Sequence, residues 1–306
     1  MSVPAAYLGV IIIWSTTPLA IKWSSEAGGF LIGVTGRMLI GLLVCSLVIK
    51  LRRLEFPWAP KALWSYAAAS IAIYGAMLVT YWGAQFIPSG LISVLFGLSP
   101  MITSLLTIIM LKQRLIRLTQ WLGMLLGLIG LVIIFQRELH ISFEGVKGLV
   151  AILCAACLHS LSAVSIKRIN AAVSPLALTC GGLAIASILY SLTWCLLGMP
   201  WPQNISLRAL FSILYLGILG SVVGFILYYY ILKHVDAPKV ALVTLVTPIM
   251  ALLLGQWLNQ EVVTPVIWMG AAMVLTGLAV YQWGALLSNW LRQKLLKAHP
   301  ASGTCS

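Results

Sequence analysis

The chain has 306 residues, of which 61% are hydrophobic and only 8% charged, with a mean hydropathy of +1.04. That composition excludes a soluble domain of this size, and apolar segments of about 20 residues, each long enough to cross a bilayer, recur from end to end. The net charge of +13 does not mark a nucleic-acid binder, because the basic residues sit at the ends of apolar runs and not on one polar surface.

The first apolar run, Val3 to Ile21, lacks a basic leader and is too long for a cleaved signal, so it reads as a span. Apolar runs and their punctuation predict ten helices, at 3–23, 30–50, 62–86, 88–111, 118–136, 146–168, 174–198, 206–232, 237–259 and 264–288. Pro and Gly mark many joints, among them Gly28-Gly29, Pro57, Pro88, Pro175, Pro200, Pro238 and Pro265. The connections leave no room for a soluble domain. Six cysteines (45, 154, 157, 180, 195 and 305) lie mostly inside apolar runs, and Cys154-x-x-Cys157 reads as packed thiols within a span, not as a redox or metal motif.

Orientation follows from basic residues. With the N-terminus inside, fourteen fall at inner ends: Lys50, Arg52, Arg53, Lys61, Lys112, Arg114, Arg117, Lys167, Arg168, Lys233, Lys239, Arg292, Lys294 and Lys297. Four fall at outer ends: Lys22, Arg137, Lys147 and Arg208. The bias puts both termini in the cytoplasm.

The two halves resemble each other. At an offset of 148, Tyr81 meets Tyr229 and Ser99-Pro100 meets Thr247-Pro248; at 147, Trp121, Gly123 and Gly130 meet Trp268, Gly270 and Gly277; at 145, Ile21-Lys22 meets Ile166-Lys167. Five is an odd number of crossings, so the second half enters from the opposite side. The expected fold is an all-α polytopic membrane protein with ten transmembrane helices as two inverted five-helix repeats. The repeats are placed at 1–140 and 141–290, with a cytoplasmic tail at 291–306.

Phe96-Gly97-Leu98-Ser99-Pro100 and Thr244-Leu245-Val246-Thr247-Pro248 each set a proline in mid-run. Proline has no N–H and its ring crowds the preceding turn, so Pro100 and Pro248 are expected to interrupt the fourth and ninth helices. In lipid such a break must face protein or a watery cavity. Pro18 does the same for the first helix, freeing the carbonyl of Trp14. These three prolines are the expected hinges. Matched interruptions in two halves are a sequence pointer to a transporter's substrate site.

With these features the chain resembles drug/metabolite transporters of the EamA type, in bacterial inner-membrane form. The resemblance rests on Trp14-Ser15 with Lys22, on Arg37, and on the Ser-Pro and Thr-Pro pairs. The Gly-rich fifth and tenth helices and Asn259-Gln260-Glu261, similar to an acidic motif closing the ninth helix, also carry it. The first repeat departs from the pattern, with Gln113 where an acid is frequent. The resemblance implies export or exchange of small metabolites, often amino acids or their analogues.

The residues themselves point to a cavity. In the fourth helix Ser89, Ser93, Phe96, Pro100, Thr103 and Thr107 share one face; in the ninth Ala237, Ala241, Thr244, Pro248, Ala251 and Gly255 do. Either stripe serves close packing, cavity lining, or both. Tyr74, Tyr81, Trp82 and Gln85 in the third helix and Tyr215, Phe225 and Tyr229 in the eighth offer flat apolar walls with polar edges, suited to aromatic solutes, or else a packed core. Arg37, about 10 Å inside the second helix, could grip a substrate carboxylate, snorkel to headgroups, or pair with Glu26. His159 could relay protons or act as neutral interhelical glue. The candidate cavity residues are thus Trp14, Arg37, Tyr74, Tyr81, Trp82, Gln85, Phe96, Ser99, His159, Tyr229, Thr244 and Thr247. No metal, cofactor or catalytic set is expected.

The expected function is secondary transport by alternating access, with a small-molecule substrate, membrane lipid as surroundings, no nucleic-acid partner, and a monomer or homodimer as the unit. Against it stand a passive channel or scaffold and an intramembrane enzyme. The enzyme reading lacks HExxH and a carboxylate at helical spacing from His159.

Overall fold

The computed structural model describes residues 2–112, 118–141, 143–198, 204–224, 226–227, 231 and 237–298, with backbone alone for 137–141, 237–242 and 285–298. The described residues are helical and contain no strand. Eight helices are long and apolar enough to cross a membrane: α1 (Val3–Ser25), α2 (Phe30–Leu51), α3 (Pro60–Gly83), α4 (Ser89–Leu111), α5 (Leu118–Ile141), α6 (Phe143–Ile169), α7 (Pro175–Leu196) and α10 (Pro265–Ala298). Two further apolar helices, α8 (Leu207–Val223) and α9 (Ala237–Asn259), stand between α7 and α10. Helix starts follow local chemistry. Pro60 and Pro175 occupy first-turn positions that need no N–H donor, and the Ser174 and Ser206 hydroxyls accept from the N–H groups of Ala177 (3.3 Å) and Ala209 (3.2 Å).

The expected pair of broken helices is found on one side only. Helix α4 is interrupted at Gly97-Leu98, where bonding tightens: Leu98 N–H reaches the Leu95 carbonyl at 3.0 Å. Pro100 then sits in the first turn of the second piece, Ser99–Leu111, where its missing N–H costs nothing. Helix α9 runs unbroken from Ala237 to Asn259 with Pro248 inside it, and α1 runs unbroken through Pro18. No glycine precedes Pro248 or Pro18 by a turn as Gly97 precedes Pro100, and the threonines of α1 turn back onto it: Thr16 and Thr17 bond the carbonyls of Ile12 (2.8 Å) and Ile13 (2.6 Å). A second difference lies at the end of the chain. The tenth helix continues to Ala298, through much of the segment expected to be tail.

A pair of irregularities that the helical period does not reveal lies in α3 and α8. Ile71–Ala76 and Leu216–Val223 are π-helical. A π turn holds an extra residue and is common at functional sites. Shifted by 148, the first falls on 219–224, overlapping the second. Each is held by hydroxyls. Tyr190 of α7 donates to the carbonyls of Ile73 (3.2 Å) and Tyr74 (2.9 Å), and Ser221 donates to the carbonyl of Leu216 (3.0 Å).

The packing exchanges under the same offset. Helix α1 packs on α9 as α6 packs on α4; α3 packs on α7 as α8 packs on α2; α3 packs on α6 as α8 packs on α1. The pairs α2–α7, α4–α9 and α5–α10 map onto themselves. The closest of these is α5–α10. A Cβ on Gly123 would lie 2.5 Å from the carbonyl oxygen of Gly277, and one on Gly130 would lie 2.6 Å from that of Gly270. Only glycine permits that approach. Contacts 123 to 277 and 130 to 270 mean that the two helices run antiparallel, although each is the counterpart of the other. Backbone turns also correspond: Lys112 after α4 and Gln260 after α9 both take left-handed φ, +50° and +52°. One continuous core takes residues from all ten helices, among them Ala20, Met38, Tyr81, Leu95, Met124, Ile152, Leu183, Leu216, Leu252 and Leu278.

Candidate functional site

The interruption of α4 sets the first part of the site. Leu105 and Ile109 are exposed on one side of the second piece of α4, and at about 100° per residue Pro100, Thr103 and Thr107 lie opposite them, with Phe96 ending the piece before the interruption. A face opposite the exposed one would be sealed in a simple bundle. Here Pro100, Thr103, Thr107, Phe96 and Ser93 are only half-buried, whereas Ser89 is fully buried. Across from them, His159 is exposed on the face of α6 opposite Val150, Cys154 and Cys157. The rings of Phe96 and His159 meet edge-on with centroids 6.1 Å apart. One residue on, the Ser160 hydroxyl donates to the carbonyl of Ser99 at 3.2 Å, while the Ser99 hydroxyl oxygen is buried without a partner. Phe96, Ser99 and His159 are therefore brought together, with an imidazole and an unengaged hydroxyl beside an aromatic wall.

The second part surrounds Arg37, which is 6% exposed. Its Nε donates to the hydroxyl oxygen of Ser221 at 3.0 Å, and its Nη1 is buried with no hydrogen-bond partner. Glu26 does not take it: that carboxylate is held by Arg208 in a forked bond, at 2.9 Å from Nε and 2.7 Å from Nη2. The α8 start that brings Arg208 to Glu26 is 182 residues away, which sequence spacing does not reveal. Nor does Arg37 snorkel, since both it and the Ser221 hydroxyl that its Nε reaches are buried. The Tyr190 hydroxyl lies within electrostatic range of Arg37, Tyr74 and Tyr81. Tyr74 bonds Thr193 at 2.7 Å and packs edge-on against Tyr190, while the buried Tyr81 hydroxyl has no partner.

Trp14 is half-buried against Ala6, Val10, Ile231 and Val243, and its ring nitrogen lies 3.4 Å from where a Cβ on Gly224 would sit. Thr244 is half-buried and accepts from Gln282 Nε2 at 3.3 Å; Thr247 and Pro248 are buried. Trp82 and Gln85 differ from expectation. They are exposed at the end of α3, where Trp82 stacks edge-on with Phe86 and Gln85 folds back onto the Trp82 carbonyl at 3.1 Å. The π segment changes the register between Tyr74 and these residues, so the shared face that a uniform 3.6 period gives does not hold. Tyr229, Phe225, Lys233 and Gln113 lie outside the described residues.

A polar lock that the sequence reading did not assemble ties three helices at one end. Glu261, just beyond α9, pairs with Lys22 of α1 at 3.3 Å and accepts from the N–H and hydroxyl of Ser89 at the start of α4. Asn259 adds a bond to Glu261 at 2.9 Å and accepts from Trp23 Nε1 at 2.9 Å. Glycine lets the helices close here, since a Cβ on Gly90 would lie 2.5 Å from Leu252 Cα. The signal for the lock was the Asn259-Gln260-Glu261 motif read together with Lys22.

Two cavities flank these parts. One of about 210 Å³ is lined by Cys45, Leu54, Ser174, Pro175, Thr179 and Ser221, and so runs from the end where α2 stops and α7 starts to the hydroxyl that holds Arg37. The other, about 760 Å³, lies between α1 and α8 and is lined by Thr16, Trp23, Arg208, Phe211 and Tyr215 among others. Thr16 and Tyr215 are hydrogen-bonded across it. Neither is lined, among the described residues, by any of the twelve expected cavity residues. Among the described residues, no three His, Cys, Asp or Glu side chains come together as metal ligands.

The sequence model of the EamA-like transporter family matches the chain twice, at residues 3–136 and 146–282. An uncharacterized transporter of Bacillus subtilis, YoaV, is 24% identical over 274 residues, covering 89% of this chain and 93% of its own. The uncharacterized inner membrane transporter YedA of Escherichia coli is 23% identical over 286 residues, 92% of this chain and 91% of its own. Protein PecM of Dickeya dadantii is 25% identical over 292 residues, 93% of this chain and 94% of its own. One solved crystal structure shares the fold, with a TM-score of 0.62 at 20% identity over 92% of this chain and 97% of the other.

Proposed function

Because the chain belongs to the EamA-like transporter family, we propose that this multi-pass membrane protein is a secondary transporter moving a small metabolite across the bacterial inner membrane by alternating access. The reading takes all ten helices as spans, in two inverted repeats at 1–140 and 141–290, with both termini cytoplasmic. Support comes from the two family matches, the exchange of packing partners at a constant offset, and the antiparallel run of α5 and α10. The inner-membrane placement draws on YedA and on the basic-residue bias.

The observation that carries the function is the half-exposed stripe of α4. Pro100, Thr103 and Thr107 face away from the exposed side of their helix without being sealed, and Phe96 before them meets the ring of an exposed His159. A scaffold gains nothing from leaving such a face unsealed. We take Phe96, Ser99, His159, Trp14 and the α9 threonines Thr244 and Thr247 as the lining of the path. Neutral or aromatic amino acids, or amphipathic analogues, are the proposed substrates, and export or exchange is the proposed direction. His159 is the proposed site of any proton coupling. A passive channel would share the stripe but not the exchange kinetics. The test is counterflow in proteoliposomes: labelled neutral and aromatic amino acids should accumulate transiently against preloaded unlabelled substrate. Flux without trans-stimulation points to the channel, and no flux for any metabolite removes the reading.

A further inference from the structure

Charge pairing among the described residues leaves one buried cation over. Lys22 is matched by Glu261, Lys147 by Glu144 and Arg208 by Glu26. The remaining acid with a described side chain, Glu55, is exposed in the link between α2 and α3. Arg37 is 94% buried, has only the neutral Ser221 hydroxyl at its Nε, and keeps Nη1 without a partner. A guanidinium carries five donors and cannot shed its charge, so a buried one with unused donors calls for an anion. The Nε position is taken; the edge formed by Nη1 and Nη2 is the fork that remains.

Space is left at that fork. A Cβ on Gly220 would sit 3.5 Å from Leu216 Cδ2, 3.6 Å from Arg37 Nη2 and 3.9 Å from the Thr17 hydroxyl, all ordinary contacts, so Gly220 leaves room for one methyl beside the guanidinium. Ser221, whose hydroxyl holds Nε, lines the cavity of about 210 Å³ that opens at the α2–α7 end. Ser221 and Gly220 both belong to the π segment of α8, a part of the chain able to change its turn without breaking the helix.

We propose that Arg37 is a carboxylate-binding residue: its Nη1–Nη2 edge receives the carboxylate of a small zwitterionic or acidic substrate, on the side bordered by Gly220. This rests on the transport reading and narrows it, because it excludes amines, lipophilic cations and neutral sugars as the principal substrates.

The test is thermal stabilisation of the purified full-length protein by L-phenylalanine, L-leucine, phenylacetate and acetate, each beside its carboxamide, at constant chloride. At least one carboxylate should stabilise the protein at a concentration tenfold or more below that at which its carboxamide does. Arg37→Gln should abolish that selectivity and Arg37→Lys should keep part of it. Gly220→Ala, whose methyl makes only ordinary contacts, should weaken carboxylate binding while leaving the unliganded melting temperature near wild type. Carboxamides acting as well as carboxylates, or no carboxylate acting at all, overturns the inference on wild-type protein alone. So does carboxylate selectivity surviving in Arg37→Gln, or stabilisation reproduced by chloride. Counterflow of a substrate without a carboxylate would leave the transporter standing and remove this role for Arg37.

Discussion

The Oε2 oxygen of Glu261 accepts two hydrogen bonds from Ser89, one from the backbone N–H at 2.7 Å and one from the hydroxyl at 2.8 Å. Ser89 is the first residue of α4, so the carboxylate sits where the helix exposes unpaired N–H groups and a partial positive charge. The other oxygen faces Lys22, and the Glu261 side chain is only 6% exposed. Removing one member of a mostly buried pair leaves the other charge without compensation. Glu261→Gln is expected to lower stability by about 2 kcal/mol, below the roughly 3–5 kcal/mol of a fully buried pair because Lys22 keeps some solvent. Lys22→Met combined with Glu261→Gln should cost less than the two single changes summed, as read from melting temperatures of all four proteins. Additive losses would mean that Lys22 and Glu261 do not interact.

Tyr190 gives the second prediction. Its hydroxyl serves two carbonyls, Ile73 and Tyr74, in the π segment of α3, and the ring is fully buried. Tyr190→Phe keeps the packing and removes the donor, leaving those carbonyls without it in a dry environment, at a cost of about 1–3 kcal/mol. Hydrogen exchange should locate the effect: amides of 71–77 should exchange faster, while those of α5 and α10, clamped by glycine contacts, should not change. Uniform acceleration throughout the bundle would show that Tyr190 supports the core in general and not this segment.

The prolines no longer count as equal hinges. Pro248 lies inside a continuous α9, where it denies the carbonyl of Thr244 its helical donor, and an interior proline costs about 3 kcal/mol. Pro248→Ala should therefore raise the melting temperature and, in the proposed reading, slow counterflow by stiffening α9. Pro100 opens the second piece of α4, so Pro100→Ala should change stability by no more than about 0.5 kcal/mol. The reverse order of stabilities would restore Pro100 as the strained position.

Much of the bundle was legible in the sequence because apolar length, Gly spacing and proline position act locally. The α5–α10 contact is an example: Gly123 and Gly130 with Gly270 and Gly277 stood out at a constant offset, and the structure brings them together in crossed order. Arg37 stood out as a charge at depth. What stayed hidden depends on partners remote in the chain or on a broken period. The Glu26 carboxylate goes to Arg208, and the Arg37 Nε to Ser221, through the approach of α8, which no spacing announces. The π segments shift the register of α3, so Tyr74 and Gln85 looked coplanar in the sequence and are not used together. Pro248 and Pro100 have the same local signature, yet only the second is preceded by a glycine that lets the helix open.

Cysteine accessibility checks the placement of His159 directly. Cys154 and Cys157 are exposed on the face of α6 turned away from His159, whereas Cys45 and Cys180 are buried, the latter beside Ser46 at 3.5 Å. If α6 turns one face to lipid and the other to a watery path, the two faces must differ in the chemistry that reaches them. Native Cys154 and Cys157 should react with an apolar maleimide in membranes and resist a charged thiosulfonate. His159→Cys, placed in a protein with its native cysteines replaced, should show the opposite preference, and a transported substrate should slow its labelling. Equal resistance of His159→Cys to the charged reagent would mean that the exposed imidazole faces no water, and would remove both the path and the proton-coupling role. Protection by substrate at position 159 but not at position 154 is the outcome that places the path between α4 and α6.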